Sequence, residues 1–474
     1  MVFSSLTFLL VFLPALVVVF FSIPSKIDKA RKYVLLFFSI LFYAAGEPIY
    51  IFLILGCVAI TWLLSGKVEE GNKVYLTVAI TINLLPLLFF KYSGFVIENI
   101  NAFTGITALS MPRVSLPIGI SFYTFQILAY VIDLYKGNVK KQKNFLFLTL
   151  YILFFPQLIA GPIVRYQEVQ DAITKNHVSW DNIQYGIGRF IIGLSKKVLI
   201  ANQVGYVASE IRSHPLDSLS TGHLWLSVFS FALQIYFDFS GYSDMAIGLG
   251  SIFGFCFPEN FNKPYMSLSV TDFWRRWHMT LGSFFRDYVY IPLGGNRVSK
   301  RRWIINVFIV WILTGLWHGA AWNYAIWGLY YAILLVMEKL FCSKWKNYNN
   351  KFVKCMRWVF TFFLVMLGWA IFLADDYSMS EFFYFIGRLL YAGKLESKVT
   401  IASMGLYGYI PFIMLGAFFA FPSGMIIDKI ITRLNMIKSR AFDILNDSVL
   451  VLLLLLCIVY IIGGSYNPFI YYKF

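Results

Sequence analysis

Charge is scarce in this chain. Lys, Arg, Asp and Glu make up 14% of its 474 residues, against 59% hydrophobic residues. Soluble domains carry about 25% charged residues. The shortfall excludes an ordinary soluble protein, and the mean hydropathy of +0.69 agrees. Cysteine is scarce too. The five, at positions 57, 256, 342, 355 and 457, form no CxxC pair and no metal-ligand spacing. A disulfide framework is not expected. Cys57 and Cys457 lie in apolar runs and read as small packing residues. Cys342 and Cys355 flank a basic segment and would pair only if the fold joined them. No GxxxxGK[ST] loop, GxSxG elbow or HExxH motif is present, which argues against ATP hydrolysis and the common serine-nucleophile chemistry.

The net charge is +16. In a soluble protein that excess would suggest nucleic acid. Here the basic residues fall in short segments between apolar runs, so membrane topology accounts for them and no nucleic-acid partner is expected. Residues 1–24 lack the positive start and the small-residue cleavage site of a signal peptide. Charge follows their apolar run rather than preceding it, so residues 3–21 read as a retained first membrane helix.

Lys26, Lys29, Arg31 and Lys32 then face the cytoplasm by the positive-inside rule. Apolar runs at 33–45 and 49–64 are separated by Gly46-Glu47-Pro48, which predicts a broken or tilted pair with its break outside. A span at 74–90 leads to a polar external loop at 98–115, and 116–135 returns to the basic loop 136–143. Pro156, Gly161 and Pro162 predict a kinked or re-entrant segment within 145–163. Residues 183–200, carrying Arg189, Lys196 and Lys197, read as an amphipathic helix along the membrane surface. A long apolar run at 224–255 is interrupted by Asp238 and Asp244, which read as a cation or proton site or as structural hydrogen-bonding groups. Residues 271–286 are too charged to span and read as a short buried or re-entrant helix.

Further spans are expected at 303–317, 322–340, 358–373, 407–427 and 449–462, with an interfacial segment at 382–391. The basic segments 297–302, 344–357 and 429–440 all fall on the cytoplasmic side of this count. The chain reads as an all-α polytopic membrane protein of about eleven transmembrane helices, plus re-entrant and interfacial helices. No 20–50-residue repeat and no linker divides it, so 1–474 reads as a single integral membrane domain.

The stretch 269–327 concentrates the chemistry, with two of the five histidines. His318 ends the apolar run 303–317 and is followed by Gly319, Ala320 and Ala321. An ionisable group at the end of a membrane helix is a functional candidate by default; the plain alternative is a hydrogen-bonded interfacial histidine. The small residues after it would leave room beside the imidazole, and histidine takes a proton near neutral pH. From Trp303 to His318 is 15 steps, about 22 Å at ~1.5 Å per residue. In a core ~30 Å thick, that puts His318 beyond the midplane, toward the outside. His278 sits among Asp272, Arg275, Arg276, Arg286 and Asp287. On residues alone it is equally a structural histidine. Its charged neighbours read as internal ion pairs, or as arginines binding donor phosphates.

These residues also carry a resemblance. Trp317-His318-Gly319, Phe273-Trp274-Arg275-Arg276-Trp277-His278 and Arg286-Asp287-Tyr288 resemble the membrane-bound O-acyltransferase family, in its alginate O-acetyltransferase-like bacterial branch. The stretches 116–123, 156–163, 237–244 and 466–471 extend the likeness over most of the chain. The resemblance implies His318 and His278 as catalytic residues, His318 as the general base and His278 in support. Arg276, Asp287 and Trp317 are candidate substrate contacts; no metal site is implied. The resemblance further implies a bacterial cytoplasmic-membrane enzyme taking an acetyl group from a cytoplasmic thioester. That donor would be acetyl-CoA or another acyl thioester, used as substrate rather than held tightly. The acceptor would be an extracytoplasmic hydroxyl, either on a cell-surface polysaccharide or on a partner protein that acetylates it. Two other classes fit the many spans: a transporter or flippase without covalent chemistry, and a scaffold for a polysaccharide synthase.

Overall fold

A computed structural model describes residues 1–105, 115–159, 161–175, 177–341, 350–391, 399–421 and 440–464. Every regular element among them is helical. Cys342, the terminal stretch 466–471, the first six residues of the basic segment 344–357 and all but the last residue of 429–440 lie outside the described residues.

A π-helical turn, Phe8–Phe12, leads into α1 (Leu13–Ser22). Helices α2 (Asp28–Ala44) and α3 (Tyr50–Glu69) follow, parted at the predicted Gly-Glu-Pro break. Helix α4 (Lys73–Thr104) begins where the Asn72 side chain accepts from the Val74 and Tyr75 amides, and ends at Gly105 in the left-handed region, φ 69°. Its 32 residues span about 48 Å at ~1.5 Å each, well over a ~30 Å core. The loop expected from residue 98 therefore starts as helix. Polar residues do not end a helix once it clears the bilayer, and this one closes on its glycine.

Helix α5 (Ile120–Tyr135) is buried along nearly its whole length. The expected kink within 145–163 is real: α6 (Phe145–Leu153) and α7 (Phe155–Leu158) part at Phe154. The amide freed there, on Phe155, donates to Ser39 Oγ of α2 at 3.2 Å, so broken backbone is satisfied inside the protein.

After α8 (Tyr166–Thr174), helix α9 (Trp180–Ser195) runs through a π-helical turn, Lys196–Ala201, into α10 (Asn202–Arg212). The centre of the molecule is α11 (Thr221–Ile252), 32 residues without a break and buried on most sides. Helix α9 lies along α11. A Cβ on Gly241 would stand 2.7 Å from the Gly193 carbonyl oxygen, so only glycine permits this approach. The surface position expected for residues 183–200 is corrected accordingly. Their charges point inward: Arg189 reaches Asp244 at 2.6 Å, Lys196 reaches Asp244 at 2.5 Å, and Lys197 reaches Asp238 at 2.7 Å. Of the two roles open to Asp238 and Asp244, pairing across helices is the one observed.

Two short helices, α12 (Val270–Trp274) and α13 (Met279–Phe285), and a π-helical turn, Arg286–Tyr290, carry the charged stretch. Then come α14 (Lys300–His318), α15 (Trp322–Phe341), α16 (Lys351–Leu373), α17 (Met379–Leu390), α18 (Ile410–Ala420) and α19 (Arg440–Ile462). Five described helices are long and apolar enough to cross a membrane: α3, α4, α15, α16 and the Asp443–Ile462 part of α19. Phe8–Ser22, Ile120–Tyr135 and Leu406–Ala420 are shorter apolar helices. The expected count of about eleven is not reached on length and apolarity among the described residues. Helix α11 shows why such a count falls short: it hides Gln234, Asp238 and Asp244 inside the bundle.

Candidate active site

Helix α14 delivers His318 as its last residue. It starts at Ser299, whose hydroxyl accepts from the Arg302 amide, and it ends because Gly319 turns to extended backbone before α15 begins. The His318 ring is 4% exposed. Aromatic rings enclose it edge-on: Trp317 at 4.7 Å, Trp327 at 5.1 Å and Phe372 at 5.1 Å between centroids. The room expected beside Gly319 is taken by protein, since a Cβ there would overlap the Tyr324 ring. Small residues at this point let α15 close against the end of α14.

The last carbonyls of α14 are held by α4. Tyr92 Oη donates to the Leu316 carbonyl at 2.7 Å, and Lys91 Nζ donates to the Trp317 carbonyl. Lys91 also reaches Ser121 Oγ at 3.3 Å and lies 5.8 Å from the Trp317 ring centroid. The last carbonyls of a helix lack intrahelical partners, and the Tyr92 and Lys91 side chains supply donors for them. Neither residue was singled out by the sequence reading. The available signal was a lysine closing the apolar run of α4.

His278 is 2% exposed and takes a left-handed backbone, φ 43°, at the start of α13. Lys263 is the only other non-glycine residue with positive φ among the described residues. Such a conformation persists only where its surroundings over-determine it. The surroundings here are Asn260, fully buried. Its backbone carbonyl accepts from the Met279 amide at 2.9 Å. Its Oδ1 lies 3.1 Å from His278 Nδ1, 3.2 Å from the Thr280 amide and 2.9 Å from Thr280 Oγ1. Phe239 of α11 meets the His278 ring edge-on at 4.5 Å.

Trp317 stands between the two histidines, 5.9 Å from the His278 ring and 4.7 Å from that of His318. The fold thus unites three residues picked from sequence. A cavity of about 890 Å³ reaches His278. Trp274, Trp311 and Thr314 line it, with Arg275, Arg286 and Lys339, so it extends toward the basic end of α14. A second recess of about 310 Å³ sits past the opposite end of α14, walled by Glu98, Asn99, Ala320, Ala321, Asn323 and Asp375.

Arg276 and Asp287 stand apart from each other in separate ion pairs. Arg276 Nε meets Asp272 Oδ1 at 2.8 Å. Asp287 is shared by Arg286 at 2.7 Å and Arg165 at 2.7 Å. The shared internal network read from the sequence is therefore two local ones, both partly exposed. Arg165 and its Asp287 pairing were not foreseen, because 122 residues of chain separate the partners. No group of three or more His, Cys, Asp or Glu that could hold a metal exists among the described residues.

A family model described as MBOAT, membrane-bound O-acyltransferase family, matches residues 139–374. A "Probable alginate O-acetylase AlgI" of Azotobacter vinelandii is 37% identical, over 79% of this chain and 76% of that protein. The chain belongs to the membrane-bound O-acyltransferase family. A second relative with the same name, from Pseudomonas putida, is 34% identical over the full length of both chains. A "Peptidoglycan O-acetyltransferase" of Helicobacter pylori is 34% identical over 79% of this chain and 77% of its own. As a membrane-bound O-acyltransferase, the protein is an acyl-transfer enzyme. The matched span contains both histidines, Trp317, Asn260 and the Arg165–Asp287 pair; Lys91 lies before it.

Proposed function

We propose that this acyltransferase moves an acetyl group from a cytoplasmic thioester, acetyl-CoA or a similar acyl carrier, to an extracytoplasmic hydroxyl. That hydroxyl belongs to a cell-surface polysaccharide, or to an extracytoplasmic partner protein that passes the group on to one. The observation that carries the reading is the position of the histidine pair between two recesses at opposite ends of α14. The larger recess sets Arg275, Arg286 and Lys339 among Glu168, Glu259 and Glu338, and its three basic side chains could hold the phosphates of a donor. The smaller one lies on the far side, next to the residues that follow His318. The names of the relatives point to polysaccharide as the acceptor class.

His318 acts as the general base. It takes the acceptor hydroxyl proton as the oxygen attacks the thioester carbonyl. The C–S bond breaks, and the leaving thiolate recovers a proton to depart as the thiol. Positioned acid–base catalysis contributes about 10²–10⁴-fold. His318→Ala is therefore expected to lower the acetyl content of envelope polysaccharide by that order, at unchanged protein level in membranes. Full acetylation by a well-expressed His318→Ala protein would overturn the assignment of His318 as the base.

A further inference from the structure

We infer that Asn260 is a positioning residue that fixes the tautomer of His278, keeping the proton on Nδ1 and leaving Nε2 as the acceptor nitrogen. The argument begins with the Thr280 amide. A backbone N–H only donates, so the Asn260 atom 3.2 Å from it must be the oxygen Oδ1. The other end of the same side chain then carries the NH₂ group, and it donates to Ser243 Oγ at 3.2 Å. Thr280 Oγ1 accepts from the Ile163 amide at 3.0 Å and so turns its own proton to Asn260 Oδ1 at 2.9 Å. Every orientation in this cluster is settled by a group with a single option. His278 Nδ1, 3.1 Å from that oxygen, can bond it only as a donor.

A neutral imidazole carries one proton. With that proton on Nδ1, Nε2 holds a lone pair. Nε2 is buried and has no protein partner among the described residues, while His278 lines the larger cavity. The left-handed backbone at His278 serves the same end, since it turns the ring back onto the segment that carries Asn260. The structure thus pairs a strained residue with the neighbour that holds it. The consequence is a division of labour. His278, which lines the larger cavity, keeps Nε2 as its one hydrogen-bond or proton acceptor. It cannot begin as a proton donor from Nε2.

The consequence for rate rests on the acyl-transfer reading; the tautomer does not, and is measured on the resting enzyme. The experiment uses full-length protein, ¹⁵N-labelled at its five histidines, in lipid nanodiscs. The His278 signal is assigned by its loss in His278→Gln. The expected spectrum shows a protonated Nδ1 and a bare Nε2 for His278. In Asn260→Ala the proton is expected to populate Nε2. Polysaccharide acetyl content is expected to fall about tenfold at equal membrane level, because a supporting histidine in the wrong tautomer no longer offers its Nε2 lone pair even where geometry survives. A proton on Nε2 in the wild type overturns the inference, as does an Asn260→Ala protein with both the wild-type tautomer and wild-type acetylation. If Asn260→Ala does not accumulate, the wild-type spectrum decides alone. A wrong assignment of His318 as the base would show instead as full acetylation by His318→Ala with the His278 spectrum unchanged, so the two failures are distinguishable.

Discussion

A histidine at the end of a membrane helix is only as useful as the groups that aim it. Trp317, Trp327 and Phe372 exclude water from His318, and Lys91 with Tyr92 fixes the carbonyls just before it. His318→Gln keeps some hydrogen bonding but lacks the basicity, so it is expected to fail like alanine; near-normal acetyl content would exclude the base role. His278→Ala leaves that base in place and is expected to be less severe in the same assay. Lys91→Met removes the side-chain donor to the Trp317 carbonyl. A hydrogen bond contributes about 0.5–1.5 kcal/mol net, so the purified variant is expected to melt earlier by an amount of that order. An unchanged melting temperature would show that the cap contributes nothing to stability. His318 stood out in the sequence because an ionisable group closes an apolar run there, and Trp317 came in only through the family resemblance. Lys91 did not stand out, because its partner is 226 residues away.

At the level of elements, the pairing of α9 with α11 is the informative case. The charged residues of α9 and of the π-helical turn after it suggested a surface helix, yet they point into the protein, because α11 supplies Asp238 and Asp244 at matching depth. The Lys197–Asp238 pair is 2% and 0% exposed. Breaking a buried pair costs about 3–5 kcal/mol, whereas replacing both members by apolar residues is often tolerated. Asp238→Asn is therefore expected to lower the amount of protein in membranes sharply, and Lys197→Met with Asp238→Leu is expected to recover most of it. A double variant no better than the single one would mean that the pair does more than balance charge. Gly241→Leu should be worse still, since the Gly193 carbonyl fills the space its side chain needs. An amphipathic pattern reports that a helix has two kinds of face, and does not report which face meets lipid.

For the whole molecule, the proposed reaction requires the two recesses to open on opposite sides of the membrane. With the exposed native Cys256 and Cys355 removed, single cysteines placed at 136–143 or 297–302 should react only from the cytoplasm by the positive-inside rule. Cysteines at Glu98 or Ser378, which wall the smaller recess, should react from outside. Outside labelling of both basic loops would sink the arrangement. Membrane residence, an all-helical fold, and the crowding of charged and aromatic residues into 269–327 were determined by the sequence alone. These follow from composition, apolar run length and local motifs, which need no knowledge of who meets whom. The enclosure of His318 by aromatic rings, the Asn260 clamp on His278 and the separation of Arg276 from Asp287 were decided only by the tertiary structure. Each depends on side chains from distant segments meeting at a few ångströms, and helix packing sets those distances while spacing along the chain does not.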